Sequence, residues 1–376
     1  MSGSVSLNKN RLIVRNLKLT QFRNYEYAAI DFHPKVNALT GLNGMGKTNV
    51  LDALYYLCLG KSYFTSGDRN VIMQHKDFFR LDGEVECNNY PEHIVIKVVA
   101  GSRKEIISSG VKAESISDHI GKYPVVIIAP DDIQHLLEGS EPRRNFLNNT
   151  IIQSNKSYLE DILLYNALLK RRNAMLKEFQ IRNTFDTLLL ESITAPMLAP
   201  AQRIYDRRKE ESEKLSVLFE KTYNEIAQSY ERCTFRYESQ LAIHDIGYLM
   251  DRYAERDRIL GRTTQGIHKD DLVFMMNEEP VKNYASQGQL KSFVLSLKMA
   301  QYAMIEKNTS TKPVLLLDDI FDKLDTNRVQ QLLRLLVDKD FGQIFITDTN
   351  RQRITDVLND VNTDYKVFQV EFGKIE

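Results

Sequence analysis

A glycine-rich loop between an apolar strand and a helix constrains the fold of this chain more than any other feature. The apolar run Val36 to Leu39 leads into Gly41-Leu42-Asn43-Gly44-Met45-Gly46-Lys47-Thr48, which satisfies the GxxxxGKS/T pattern. Asn49 to Leu59 then carries apolar residues at the spacing of a helix buried along one face. The order of strand, loop and helix predicts an α/β domain with a phosphate-binding loop.

The residues of this loop have predicted roles in holding ATP. Backbone N–H groups of the loop and the N-terminus of the following helix would surround phosphate oxygens. Lys47 would reach the β- and γ-phosphates and assist catalysis, and the Thr48 hydroxyl would coordinate Mg²⁺. The predicted nucleotide-binding residues are Gly41, Asn43, Gly44, Met45, Gly46, Lys47, Thr48 and Asn49.

A second strand supplies carboxylates for the same site. Val314 to Leu317 is apolar and ends in Asp318 and Asp319, the arrangement of a Walker B strand. Asp318 would hold Mg²⁺ through water, and Asp319 would orient or deprotonate the attacking water. Aspartate is shorter than the glutamate of transporter-type ATPases, so hydrolysis is expected to be slow and the protein a weak ATPase. Taken alone, the segment could also be a core strand that ends at a solvated acidic turn.

A segment shortly before this strand indicates the class of ATPase. Ser286-Gln287-Gly288-Gln289 heads a helix and resembles the signature motif of ABC-type ATPases, in which it caps the γ-phosphate held by the partner subunit. The alternative is an ordinary N-cap serine. Asp325, in Leu324-Asp325, resembles the D-loop that crosses the dimer interface. Together these motifs predict an ATP-dependent homodimer.

The stretch between the two halves of the site changes in character. From Pro142 to about Tyr253 apolar residues recur at helical spacing and β-like runs nearly vanish. Pro196 and Pro200 are expected to interrupt the helices, with a new helix from about Ala201 to Tyr230. The predicted fold is an ABC-type, SMC-like P-loop ATPase head with an inserted compact helical arm. The predicted segments are 11–141 and 256–376 for the ATPase and 142–255 for the arm.

Composition limits the possible partners. Lys plus Arg and Asp plus Glu both total 50, so any DNA contact must come from local basic clusters. Such clusters occur on predicted helices, where a mixed-charge solvated face is the alternative. No apolar run is long enough to cross a membrane, the start lacks a signal peptide, and the 3 cysteines form no metal or disulfide pattern. We therefore expect a cytoplasmic protein. The clusters are Arg143-Arg144, Lys170 to Arg172, and Arg203 with Arg207 to Lys209.

Several segments, most of them outside the ATPase motifs, closely resemble the RecF family, over about residues 11 to 373. They are Asn16-Leu17, Phe22 to Tyr25, Asn37 to Asn49, Ala129 to Asp132, Phe146-Leu147, Leu169 to Lys177, Gly261 to Thr264 and His268 to Leu272. The resemblance implies a role in DNA replication, repair and recombination and in the SOS response to DNA damage. It further implies that an ATP-induced dimer binds DNA at single-strand gaps or junctions and works with RecR and RecO to load RecA.

Some positions depart from the family or have no assigned role. Phe64 and Lys269 stand where RecF proteins usually carry arginine, and Thr347 to Thr349 lacks the switch histidine of many transporters. Gln134 is the glutamine nearest to the place expected for a γ-phosphate sensor. His268 and Asp270 could form only a structured turn before a strand.

Three other classes share parts of this pattern. An SMC-type strand-bridging ATPase would carry hundreds of heptad residues between the half-sites, and a transporter ATPase subunit would lack an insert of this size. A nuclease of the overcoming-lysogenization type would add a metal-binding domain after the ATPase. The insert length favours the RecF family over the first two.

Overall fold

The computed structural model describes residues 10–227, 231–320 and 326–376. Its strands are β1 (Asn10–Phe22), β2 (Tyr25–Asp31), β3 (Val36–Thr40), β4 (Phe78–Cys87), β5 (Tyr90–Val99), β6 (Glu105–Ser108), β7 (Val111–Lys112), β8 (Val125–Ile128), β9 (Cys233–Glu238), β10 (Asp271–Met276), β11 (Glu279–Pro280), β12 (Thr311–Lys312), β13 (Val314–Leu317), β14 (Ile344–Asp348), β15 (Tyr365–Glu371) and β16 (Lys374–Ile375).

The helices follow the same chain order. They are α1 (Lys47–Leu59), α2 (Asp132–Glu138), α3 (Ser140–Ile152), α4 (Lys156–Arg182), α5 (Thr187–Ala227), α6 (Ile246–Arg252), α7 (Ala254–Leu260), α8 (Val281–Tyr284), α9 (Gln287–Thr309), α10 (Thr326–Asp338) and α11 (Arg351–Asp360). One unit is formed by the chain up to Asp132 together with Gln301–Glu376, and a second unit by Ile133–Ala300. The predicted segment boundaries at 141 and 255 remain a proposal.

A parallel sheet at the heart of the first unit positions the predicted site. Its strand order is β16-β15-β3-β14-β13-β8, with only β16 antiparallel to its neighbour. β3, β8, β13 and β14 are buried along their whole lengths, as expected for strands covered on both faces. The loop after β3 and the acids after β13 therefore lie at the same edge of the sheet, with only β14 between them.

The second sheet of this unit is largely antiparallel. β12, β1, β4, β5, β6 and β7 pair in that order, and β2 pairs with β1. Burial alternates along β1 and β4, which is the pattern of strands with one face on the core.

Helix α1 contacts strands of both sheets, namely β1 and β4 on one side and β8 and β14 on the other. All but two of its 13 residues are buried, and those two are Thr48 and Asn49. The predicted one-sided burial is therefore wrong, because the helix lies between two sheets and apolar side chains are needed all round it.

The second unit contains the helical insert. α4 and α5 pack along each other, and α5 runs for 41 residues, about 60 Å at the usual rise. The predicted break at Pro196 and Pro200 is wrong, since both prolines lie inside α5. Each proline removes one backbone donor and bends a helix without necessarily ending it. Buried neighbours such as Met197 and Ala201 continue the packed face through this stretch.

The region predicted to be purely helical also contains a strand. β9 pairs antiparallel with β10, which in turn pairs with β11, to form a three-stranded sheet. The strand preference of Cys233–Glu238 is visible in its buried, alternating Cys233 and Phe235. No helix within the described ranges is long and apolar enough to span a membrane.

Candidate nucleotide-binding site

The glycine loop is shaped by close contacts that only glycine permits. Gly46 caps α1 with φ 115°, a left-handed conformation. A Cβ atom there would lie 2.6 Å from Nδ2 of Asn24 and 2.9 Å from the hydroxyl of Tyr25. At the other end, the N–H of Gly41 donates to the carbonyl of Asp348 over 3.2 Å. The loop is therefore fixed at both ends before any ligand binds.

The turn between β1 and β2 holds the glycine loop through side-chain hydrogen bonds. Asn24 Nδ2 donates to the Met45 carbonyl at 3.1 Å, and the Tyr25 hydroxyl donates to the Gly46 carbonyl at 3.1 Å. The Asn49 side-chain amide donates to Asn24 Oδ1 at 2.7 Å. Sequence reasoning used Phe22 to Tyr25 only as a family motif. The structure shows that Asn24 and Tyr25 hold the carbonyls of Met45 and Gly46 toward this turn.

Lys47 is already placed within the loop. Its Nζ donates to the carbonyls of Gly41 and Leu42 at 2.8 and 3.1 Å, and the residue is 4% exposed. A buried cation that donates to neutral carbonyls gains strongly from an anionic ligand. This arrangement fits a nucleotide phosphate.

The predicted metal residues meet at the edge of the parallel sheet. The Thr48 hydroxyl lies 2.9 and 3.1 Å from the two carboxylate oxygens of Asp318. Burial raises the pKa of Asp318 to about 6, with a smaller raising effect from Asp319. A buried carboxylate beside a hydroxyl is a suitable ligand set for Mg²⁺, whose charge would offset the cost of burial. The pair therefore fits the predicted metal.

Thr347 links both acids, which sequence reasoning did not foresee. Its hydroxyl donates to Asp318 Oδ1 at 2.8 Å and accepts the backbone N–H of Asp319 at 2.8 Å. Asp319 has φ 39°, so its backbone turns sharply as β13 ends. A threonine at the end of the neighbouring strand β14 could be found only once the strand order was known.

The signature segment begins α9 in the second unit. Ser286 accepts the N–H of Gln289 on its hydroxyl at 3.3 Å, and its own N–H donates to Gln289 Oε1 at 2.7 Å. Ser286 is thus an N-cap serine, which is the alternative given above for this segment. Ser286 and Gln287 are nevertheless exposed, and the first N–H groups of any helix lack partners inside it. An external anion can therefore reach this end.

Two further predicted residues stand apart from these contacts. Asp325 of the predicted D-loop lies outside the described residues. The Gln134 side chain donates to Glu138 at 3.0 Å, and its role as a γ-phosphate sensor stays a prediction.

An ion pair not foreseen from the sequence fixes the loop that carries Phe64. Arg23 donates to Asp52 at 2.8 Å and to the hydroxyls of Ser62 and Thr65 at 3.2 Å each. Asp52 lies on α1 and is fully buried. The segment that departs from the family at Phe64 is therefore anchored to the same helix that begins at Lys47.

Several arginines of the predicted basic clusters are used inside the second unit. Arg172 is 1% exposed and bonds Asp257 and Thr263, each at 2.7 Å. Arg208 is 3% exposed and bonds Asp270 at 2.7 Å. These two cannot contact DNA as the clusters suggested, because they are buried in ion pairs. Lys170, Arg171 and Lys209 are exposed.

The motif from His268 to Asp271 has a structural role in the same unit. His268 Nδ1 lies 2.9 Å from the Tyr165 hydroxyl, and Asp271 forms a two-bond ion pair with Arg143 at 2.7 and 2.8 Å. Burial lowers the pKa of His268 to about 4, so its imidazole is neutral. The motif joins β10 to α3, α4 and α5.

The fold of the first unit and the geometry of its loop define a P-loop ATPase head of the ABC type. The family model described as the RecF/RecN/SMC N terminal domain matches residues 13–376. DNA replication and repair protein RecF of Flavobacterium johnsoniae is 39% identical over 357 residues, with 95% of this chain and 99% of that protein covered. Its namesake in Bacteroides thetaiotaomicron is 38% identical over 367 residues, at 97% and 98% coverage. The chain belongs to the RecF family.

Solved structures agree with this assignment. The recombination mediator protein RecF with ATP, of the RecFOR pathway, has a TM-score of 0.87 at 27% identity, with 97% of each chain covered. An Smc head domain from Pyrococcus furiosus has a TM-score of 0.54 at 16% identity, which shows a shared fold alone. The predicted family and the ABC-type, SMC-like fold are thereby confirmed.

Proposed function

We propose that this protein is an ATP-dependent DNA-binding ATPase that acts in recombinational repair and at replication forks. The observation that carries the proposal is the contact between the Thr48 hydroxyl and the Asp318 carboxylate, which are 2.9 Å apart. This contact lies next to a glycine loop that ends in the buried cation Lys47. The names of the relatives, which are DNA replication and repair proteins, support the biological setting. We propose a cytoplasmic location on the basis of the same relatives.

The chain's own residues can perform a slow hydrolysis. Bound Mg²⁺ would neutralise charge that develops on the phosphates. Lys47 would leave the loop carbonyls and donate to phosphate oxygens, which needs only a turn of its flexible side chain. Asp318 would stay largely ionised at neutral pH, and Thr347 would hold its carboxylate in place. Asp319 would orient a water molecule and accept its proton on a carboxylate oxygen.

We propose that ATP joins two copies of the chain. Ser286 and Gln287 are exposed at the N-terminus of α9, and helix N-termini bind anions. In the proposed dimer this end caps the γ-phosphate held by Lys47 of the other copy, and Asp325 crosses the interface. ATP then acts as a removable link, and its hydrolysis releases the pair.

DNA and protein partners are inferred from the family. The similar solved RecF is a recombination mediator protein of the RecFOR pathway. We propose binding at single-strand gaps and junctions, with RecR and RecO as partners in loading RecA. Exposed Lys170, Arg171, Arg203 and Lys209 are the cluster residues able to contact phosphates. An SMC-like strand bridge is the second candidate, since the Smc head shares the fold; a transporter subunit is a more distant one.

Fluorescence anisotropy tests the proposal with labelled gapped, duplex and single-stranded DNA, each in ATP and in ADP. We expect tight binding to gapped DNA only with ATP. Lys47→Ala should weaken ATP binding by about 100-fold or more, since a charged hydrogen-bond donor is lost, and should abolish the ATP effect. Lys97→Ala, on the exposed side of β5, is the matched control. Equal DNA affinity with and without ATP would refute the proposal.

A further inference from the structure

The signature segment is hydrogen-bonded to Glu231, a residue that lies between α5 and β9 in the chain. The Gln289 amide nitrogen Nε2 donates to Glu231 Oε1 over 2.6 Å. The oxygen of the same amide accepts the backbone N–H of Ser286 over 2.7 Å. Glu231 stands between α5, which ends at Ala227, and β9, which begins at Cys233. One amide group therefore connects this junction to the serine that caps α9.

The chemistry of the pair determines which way the amide points. An ionised carboxylate only accepts hydrogen bonds, whereas a glutamine amide has a donating and an accepting side. Glu231 therefore holds the NH₂ group of Gln289 and turns its oxygen toward the N–H of Ser286. The reversed amide would set its NH₂ group against a second donor and its oxygen against a carboxylate. A charge-assisted hydrogen bond of this kind is stronger than a neutral one.

The position of Glu231 is itself fixed by neighbouring contacts. The adjacent Arg232 exchanges two hydrogen bonds with Asn277, of 2.9 and 2.8 Å, at the end of β10. On α5, Phe219 and Tyr223 pack on Phe293 of α9, with ring centroids 4.7 and 6.4 Å apart. The carboxylate is thus presented by a scaffold that also packs on the signature helix.

We propose that Glu231 is a positioning residue for the ATP-bridging signature. By fixing the Gln289 amide it holds Ser286 and the start of α9 in the form that receives the γ-phosphate of a second copy. The inference rests on the proposed function, in which Ser286 acts across the dimer. It adds a residue outside the signature that controls how well the signature is preorganised.

Four variants separate this role from general stability. Glu231→Ala removes the acceptor, whereas Glu231→Gln keeps one on a side chain of the same shape. Gln289→Glu sets two carboxylates against each other. Combining Gln289→Glu with Glu231→Gln restores the bridge with reversed polarity, because the new carboxylate at position 289 accepts from both Ser286 and the new amide at position 231.

Three measurements are made on each variant: amide hydrogen exchange without nucleotide, affinity of the monomer for a fluorescent ATP analogue, and sedimentation with ATP. Glu231→Ala should raise exchange at Ser286 by about tenfold and weaken ATP-dependent self-association by a similar factor, since one charged hydrogen bond is lost. Affinity of the monomer for ATP should not change. Glu231→Gln should lie close to the wild type in all three measurements, and the double variant should recover the slow exchange at Ser286 that Gln289→Glu loses.

The outcomes distinguish the two claims. Unchanged exchange at Ser286 in both Glu231→Ala and Gln289→Glu would overturn the positioning role. Ser286→Arg serves as the test of the underlying function. If exchange responds to Glu231→Ala while Ser286→Arg still self-associates normally, the bridging function fails and the positioning of the segment stands.

Discussion

Asp318 and Asp319 are adjacent in the chain but lie in different surroundings. Asp318 is 4% exposed and bonds Thr48 and Thr347, whereas Asp319 sits where the backbone turns away from β13. Two neighbouring carboxylates with different environments can take different roles in one site. We propose metal binding for Asp318 and water activation for Asp319.

The variant Asp319→Asn tests this division. It keeps the shape and the backbone hydrogen bond to Thr347 but cannot accept a proton at neutral pH. Turnover of ATP should fall by about 100-fold or more, while ATP affinity and ATP-dependent self-association persist. Phosphate release measures the first and sedimentation the last. Asp356→Asn, exposed on α11, is the control, and normal turnover in Asp319→Asn would remove the residue from catalysis.

His119 is expected to make the stability of the folded protein depend on pH. Its Nε2 lies 2.8 Å from the Leu57 carbonyl, and its buried Nδ1 has no hydrogen-bond partner within the described part of the chain. Burial lowers the pKa of this imidazole to about 4. The unfolded chain binds a proton near pH 6.5 and the folded chain does not, so stability is full above pH 6.5 and falls as pH drops toward 4.

The loss from His119 should be about 2 kcal/mol between pH 7.5 and pH 5. His119→Gln can still donate to Leu57 but does not titrate, so its stability should fall less over this range. Urea unfolding at the two pH values measures the difference. His268 titrates in the same direction and contributes equally to both proteins. Identical pH dependence in the wild type and in His119→Gln would show that this imidazole is not buried as described.

At the scale of secondary-structure elements, the buried ion pairs hold together the helices of the second unit. Arg172 on α4 and Asp257 on α7 are each 1% exposed and are 2.7 Å apart. Removing one partner of such a pair leaves a buried charge without compensation. Basic clusters in this unit thus include arginines that are buried in ion pairs, Arg172 and Arg208, as well as more exposed cations.

Arg172→Met and Arg171→Ala should therefore have opposite effects. Arg172→Met should lower the free energy of unfolding by about 3 to 5 kcal/mol and leave the DNA affinity of the folded protein unchanged. Arg171→Ala should change stability by less than about 0.5 kcal/mol and weaken DNA binding. Urea unfolding and anisotropy at fixed salt measure the two effects. Reduced DNA affinity in folded Arg172→Met would contradict the structural role.

The elements also show where local sequence suffices and where it does not. The parallel strands were predictable because strands covered on both faces are continuous apolar runs, as in Val314–Leu317. The continuity of α5 through Pro196 and Pro200 was not predictable from local sequence. Packing against α4 overrides the tendency of these prolines to end the helix. The burial of α1 on all sides beyond its first turn depends on a second sheet that no local pattern reveals.

At the scale of the whole molecule, the site was predictable where it depends on short motifs. The glycine loop and the acids after β13 each combine a fixed spacing with a strand end, so their chemistry is local. Three other features of the site depend on contacts between distant parts of the chain. They are the hydrogen bonds from Asn24 to the glycine loop, those of Thr347 to both acids, and the one between Gln289 and Glu231. They join residues distant in the chain, and single side chains carry no signal of that pairing.

The central claim is that one nucleotide site is shared by two copies of the chain. The Lys47→Ala protein keeps an intact signature, and the Ser286→Arg protein keeps an intact phosphate loop. A pair made of one copy of each therefore contains one complete site, whereas pairs of identical variants contain none. The wild type should be monomeric without ATP and dimeric with it.

Sedimentation velocity on the two variants, alone and in an equimolar mixture, tests this claim most directly. With ATP and Mg²⁺, each variant alone should remain monomeric, and the mixture should form a dimer that ADP does not support. A Ser286→Arg protein that dimerises alone like the wild type, or a mixture that stays monomeric while the wild type dimerises, would contradict the shared site.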